Sequence, residues 1–266
     1  MDETPHMLVF EQVVWGPDGA PLIADLSFTL RQGELVVVLG PNGAGKSSLM
    51  KLACGLVTPQ SGHVLLSGVP PAAYGDQERA KRLGYLPQSR GLAWPNRVED
   101  VVALGRYAHG GGMGMMGGRD REVVERALTA CNIGHLRHRS MLTLSGGEQT
   151  RVHCARLFAA QTPLLLADEP ITALDPHHQH RIMQLIKSYV ADGHGALVVL
   201  HDLDIAARYA DRLIWMFDGR IVADGTVAET LTRDNVARVF DMDSHIDVSA
   251  AAPRVHLHGP RDRGQT

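Results

Sequence analysis

Residues Gly40 to Ser47, within the stretch GPNGAGKSS, fit the pattern G-x-x-x-x-G-K-[ST] in full. They lie between an apolar strand pattern and a helical one, which is the context a phosphate-binding loop requires. The backbone of Gly40, Pro41, Asn42, Gly43, Ala44 and Gly45, with the helix start that follows, can surround phosphate oxygens. Lys46 then reaches the outer phosphates, Ser47 offers a hydroxyl to Mg²⁺, and Ser48 adds a second hydroxyl. A second stretch, LSGGEQ at 144–149, raises the same possibility far downstream. Ser145 and Glu148 have the spacing of an ordinary helix capping box. That accounts for those two residues and leaves Gly146 and Gly147 unexplained, since most residues form a first helical turn better than glycine. Glycine there suits the close approach of an anion.

Three further positions carry chemistry by their place after buried apolar runs. LLLADE ends on Asp168 and Glu169, and a carboxylate at the carboxyl end of a parallel strand sits at the ligand edge of the sheet. Asp168 suits a role on Mg²⁺ and Glu169 the polarisation of an attacking water. His201 follows ALVVL and can meet a terminal phosphate and that water. A lone histidine at a strand end is usually structural, and only the two other strand ends make this one a candidate. Gln88, in LGYLPQ, has both a donor and an acceptor end, able to bind Mg²⁺ or the water.

The elements that must position these groups follow from patterning. The runs at 34–40, 163–169, 196–202 and 212–219 are nearly continuous in apolar residues, as in parallel strands covered on both faces. Helical periodicity covers 46–55, 145–160, 176–191 and 203–210. The alternation predicts a doubly wound α/β core, and the loop at 40–47 makes it one of the P-loop type. HMLVFEQVVWG and APLIADLSFTLRQGE read as an antiparallel subdomain joined by the turn GPDGAP. A helical subdomain inserted at about 89–160 carries a Gly/Met link at 110–118. Residues 1–243 are expected to form one domain, with 244–266 a tail of one strand and a flexible end.

Composition narrows the classes. The chain has 266 residues, 44% of them hydrophobic, so a sizeable core can be buried. The net charge of −3 gives no sign of a nucleic-acid partner. Three cysteines without C-x-x-C spacing predict neither a disulfide framework nor a zinc site, and point to a reducing compartment. No apolar run approaches the ~20 residues of a membrane helix, so a soluble chain is expected. Gly112, Gly114 and Gly117 match G-x-G-x-x-G but follow a helix, so a dinucleotide site fails its context. His177, His178, His180, His256 and His258 read as solvated positions rather than metal ligands, and Met113, Met115 and Met116 as linker.

The order of the loop at 40–47, LPQ with Gln88, LSGGE at 144–148, LLLADEP at 164–170, ALD at 173–175 and LHD at 200–202 resembles the ATP-binding subunit of ABC transporters. The likeness runs from about residue 8 to 243. It implies ATP and Mg²⁺ as cofactors and ATP hydrolysis coupled to transport. It makes Gln88 the Q-loop, Asp175 the D-loop and His201 the switch histidine, and puts Trp15 against adenine, where tyrosine is usual. It implies a head-to-tail dimer in which Ser145, Gly146 and Gly147 serve the ATP held by the partner copy's Lys46 loop. It also implies two membrane-spanning permease subunits, a substrate-binding protein reached through them, and a place on the cytoplasmic face of the inner membrane. VEDVVALGRYAH and GTVAETLTRDNVARVF are similar to importers of iron–siderophore complexes, haem or cobalamin. Another cargo and a non-transport ABC ATPase remain as alternatives. A small-molecule kinase is disfavoured by LSGGE and His201.

Overall fold

The computed structural model describes residues 6–17, 20–88, 96–111, 116–247 and 253–260. Strands β1 (His6–Trp15), β2 (Ile23–Arg31) and β4 (Ser61–Leu66) make an antiparallel sheet in the order β2-β1-β4. The central sheet contains β3 (Leu35–Leu39), β5 (Leu83–Leu86), β6 (Leu164–Asp168), β7 (Gly195–Val199), β8 (Arg212–Phe217) and β9 (Arg220–Thr226). Its order is β5-β6-β7-β3-β8-β9, parallel except for the last pair. Every residue of β3, β6 and β7 is buried, as a sheet covered on both faces requires.

The two faces have different covers. On β3, Val36 and Val38 join the core made with the antiparallel sheet and helix α1 (Lys46–Ala53). Leu35, Val37 and Leu39 join the core on the opposite face. Six helices contribute there: α3 (Val98–Ala103), α4 (Gly118–Ala130), α5 (Gly146–Ala159), α6 (Pro176–Ala191), α7 (Leu203–Tyr209) and α9 (Arg233–Phe240). The short helices α2 (Asp76–Arg82) and α8 (Val227–Thr230) sit beside β5 and β9. Alternation along one strand therefore divides the interior in two.

Helices α3, α4 and α5 pack on one another in the region expected to be helical. Arg106 fastens that region. Its buried guanidinium bonds Asp120 Oδ1 at 2.8 Å, the Ala159 carbonyl at 2.9 Å and Gln161 Oε1 at 3.2 Å. The link at 110–118 is described only at its ends, and Gly112, Met113, Gly114 and Met115 lie outside the described residues.

The tail departs from expectation. It holds two strands, β10 (Met242–Asp247) and β11 (Arg254–Pro260), paired antiparallel. The boundary expected at 243 thus falls inside a strand. The polar sequence MDSHID hid β10, whose Met242 and Ile246 nevertheless pack on the main core with Val255 of β11. The end after residue 260 lies outside the described residues. No helix among the described residues is long and apolar enough to cross a membrane.

Candidate functional site

The loop after β3 turns into α1 through Gly45, whose φ of 95° lies in the left-handed region. A Cβ there would come within 2.6 Å of Ile23 Cδ1, so glycine is needed both for conformation and for space. No side chain caps α1, and its first-turn N–H groups stay available to an anion. Lys46 is 7% exposed, and its ammonium donates to the carbonyls of Gly40 (2.7 Å) and Pro41 (2.8 Å). Burial pulls its pKa down, against the opposing pull of the Glu169 and Asp168 carboxylates.

Loop and strand ends share one cleft of about 330 Å³, lined by Asn42, Gly43, Gly45, Lys46, Ser47, Ser48, Gln88 and Glu169, with Leu22 at its edge. Ala44 is buried under the loop. Asp168, the last residue of β6, is 1% exposed. Burial pushes its pKa up, and a hydrogen bond with Ser47 pulls against that. Asp168 Oδ1 has no hydrogen-bond partner among the described residues, although it is buried. An unpaired buried carboxylate oxygen beside a serine hydroxyl is the donor set of a hard divalent cation.

Glu169 follows with φ of +52°, a left-handed conformation that costs a non-glycine residue about 1–2 kcal/mol. Its Oε1 receives Gln88 Nε2 at 2.9 Å and lies 2.7 Å from His201 Nε2, while Thr172 Oγ1 donates to Oε2 at 3.0 Å. Burial tends to raise the Glu169 pKa. Bonds from His201, Thr172 and Gln88 outweigh it and hold the group below the ordinary carboxylate range. An ionised carboxylate only accepts, so Nε2 of His201 carries the proton toward it. Three strand ends, β5 leading to Gln88, β6 to Glu169 and β7 to His201, therefore meet at one carboxylate.

A match to the family model described as ABC transporter covers residues 23–172. The chain belongs to the ABC transporter family. Among its ABC relatives, the hemin import ATP-binding protein HmuV of Pseudomonas entomophila (strain L48) is 46% identical over 84% of this chain and 88% of its own. A solved ATP-binding subunit of an ABC transporter superposes with a TM-score of 0.76 at 26% identity, covering 88% of this chain and 93% of its own. A bacterial ABC transporter cassette solved as a dimer gives 0.74 at 27% identity, over 83% and 99%.

The LSGGEQ stretch at 144–149 lies outside the Lys46 cleft but lines a neighbouring one, which Gly146 and Gln149 share with Gln88, Glu169 and Thr172. Ser145 caps α5 in a full capping box, with Glu148 Oε2 accepting from the Ser145 N–H at 2.8 Å and Ser145 Oγ accepting from the Glu148 N–H at 3.3 Å. Gly146 has nothing within 4 Å of where its Cβ would be, while a Cβ at Gly147 would meet the Ala173 carbonyl at 3.0 Å. Neither Ser145 nor Gly147 lines the Lys46 cleft. Asp175 caps α6 and binds His178 through both backbone and side chain, which holds its carboxyl low. Trp15 ends β1 half-buried and is not among the cleft residues. It pairs with Ile23, the residue that touches Gly45. Thr172, in contact with Glu169, escaped the sequence reading. A hydroxyl three residues past a strand-end carboxylate is the only signal for it.

Proposed function

We propose that this chain is the ATP-hydrolysing subunit of a haem importer, binding ATP and Mg²⁺ at the Lys46 cleft. The observation that carries this is the single cleft in which Lys46, Ser47, Gln88 and Glu169 converge. Lys46 and the first turn of α1 neutralise and orient the phosphates. Ser47 and Asp168, with Gln88 at the same cleft, would hold Mg²⁺, which supplies charge neutralisation on the phosphate oxygens. Glu169 is ionised and polarises the attacking water, and His201 fixes its carboxylate. Trp15, outside the cleft lining, would stack on the adenine beyond the phosphates.

The signature at Ser145, Gly146 and Gly147 serves a partner copy's ATP, and Asp175 lines that shared interface. The dimeric cassette among the solved relatives and the open space at Gly146 support this. Two membrane-spanning subunits hold the dimer at the cytoplasmic face, where Gln88 and the helices over about 89–160 receive them. The residues up to Asp241 and the β10–β11 hairpin act as one subunit. Haem as cargo rests on the hemin import relative.

The test uses the chain assembled with its two membrane-spanning subunits in liposomes. Substrate-binding protein loaded with haem should raise ATP hydrolysis, and the same protein offered cobalamin or a ferric siderophore should not. Equal stimulation by cobalamin would overturn haem as cargo, and no hydrolysis in any arm would overturn the ATPase reading.

A further inference from the structure

His201 reaches Glu169 from a side chain that is 40% exposed. Burial does not fix such a ring, so its place depends on the backbone behind it. That backbone is the start of α7, capped by Asp202 Oδ1, which accepts from the Ile205 N–H at 2.8 Å. Leu203 and Ile205 are buried, and Asp204 between them is exposed toward the hairpin. Asp204 Oδ1 accepts the backbone N–H of Val255 at 2.7 Å. This is a charge-assisted bond from a strand edge to the first turn of the helix that follows His201.

The hairpin belongs to neither of the other sheets. It is continuous with α9 through β10, where Arg233 Nη2 meets His245 Nδ1 at 2.8 Å, and it reaches α7 through β11. Apolar packing closes the space between α7 and the hairpin only in part. A cleft of about 370 Å³ lies there, with His201 and Leu203 on one wall and Phe240, Met242 and Leu257 on the other. The Asp204–Val255 bond spans this cleft beside the apolar contacts that Met242 and Val255 make with the main core.

We propose that the β10–β11 hairpin braces the His201 loop, with Asp204 as the positioning residue through which it acts. The inference rests on the ATPase reading above. Asp204 touches no reacting atom. It holds the first turn of α7 so that His201 stays within reach of Glu169, and a shift there misplaces a catalytic group without altering the Lys46 loop.

The experiment measures ATP hydrolysis by the full chain assembled with its membrane-spanning subunits. Asp204→Ala should lower kcat roughly tenfold and leave KM for ATP within about twofold. Asp204→Asn keeps an oxygen acceptor and should restore most of the rate. Val255→Pro removes the donor at an outward edge position that proline tolerates, and should reproduce the alanine result. The ring resonance of His201, assigned by its loss in His201→Gln, should shift in Asp204→Ala and return in Asp204→Asn. An active wild type with an unchanged Asp204→Ala rate would overturn the proposal alone. So would a lower rate that asparagine does not restore, or one with the His201 resonance unmoved. A wild type that hydrolyses no ATP would overturn the ATPase reading and this inference with it.

Discussion

Two helix starts in this molecule are rich in glycine and suited to anions, and they are built in opposite ways. The first turn of α1 is uncapped, and its Lys46 is buried against its own loop carbonyls. It opens into a cleft that also holds Gln88 and Glu169. The first turn of α5 is capped twice over by Ser145 and Glu148, and Ser145 and Gly146 are exposed. An uncapped turn with the Glu169 carboxylate in its own cleft is furnished to hold a ligand with groups of one subunit. A capped, exposed turn is stable alone and can wait for a ligand carried by another molecule. If both starts take phosphate, as proposed, the contrast keeps the two cradles from competing.

Removing the charge at α1 should have the largest effect. Lys46→Ala should reduce ATP hydrolysis by about a hundredfold or more, since phosphate charge loses its preorganised partner. Near-normal turnover in a steady-state assay would erase the distinction between the two helix starts.

The next test sets one start against the other. Glu169→Gln keeps the shape and removes the base, so hydrolysis should fall by roughly 10²-fold and an ATP-bound dimer should accumulate. Adding Ser145→Arg should abolish that dimer while ATP affinity of the single subunit barely changes. Light scattering behind a sizing column, with ATP and Mg²⁺, reads both. A double variant that dimerises as well as the single one would leave α5 as a capped helix and nothing more.

A smaller effect concerns pH. Glu169 must be ionised to act, so activity is present above its pKa and is lost as pH falls through it. Burial raises that pKa, and the bonds from His201, Thr172 and Gln88 hold it below the ordinary range. In His201→Ala burial meets less opposition, and the acid limb of residual kcat should move to higher pH. A limb that stays in place would show that His201 does not tune the carboxylate. The smallest change is expected at Trp15, on β1 rather than in the cleft. Trp15→Ala should weaken ATP binding by roughly fivefold, the value of about 1 kcal/mol of stacking, with kcat retained. Unchanged affinity by calorimetry would make Trp15 a strand residue only.

Much of this was legible in residue order. Gly40 to Ser47 declared the loop, and continuous apolar runs located β3, β6 and β8 within one or two residues and β7 within three. The helical stretch expected at 145–160 is α5 at Gly146–Ala159. What stayed hidden depends on partners distant in sequence. β5 is four residues long and is a strand because Leu83–Leu86 pair with Leu164–Ala167. β9, RIVADGT, is half-exposed and gains its order from β8. The Asp204–Val255 tether is likewise a tertiary contact with no trace in local pattern, whereas the Thr172 bond to Glu169 and the carbonyls under Lys46 are local and follow from how the two loops turn.

The left-handed backbone at Glu169 carries an evolutionary consequence. A glycine at that position would relax the chain by about 1 kcal/mol, while removing the base. Selection for a sturdier subunit and selection for turnover therefore pull this one site in opposite directions. Copies of the gene freed from transport should drift toward small or turn-forming residues here before they lose the phosphate loop. On the proposed role of Glu169, a stable, nucleotide-binding subunit with little turnover is one substitution away.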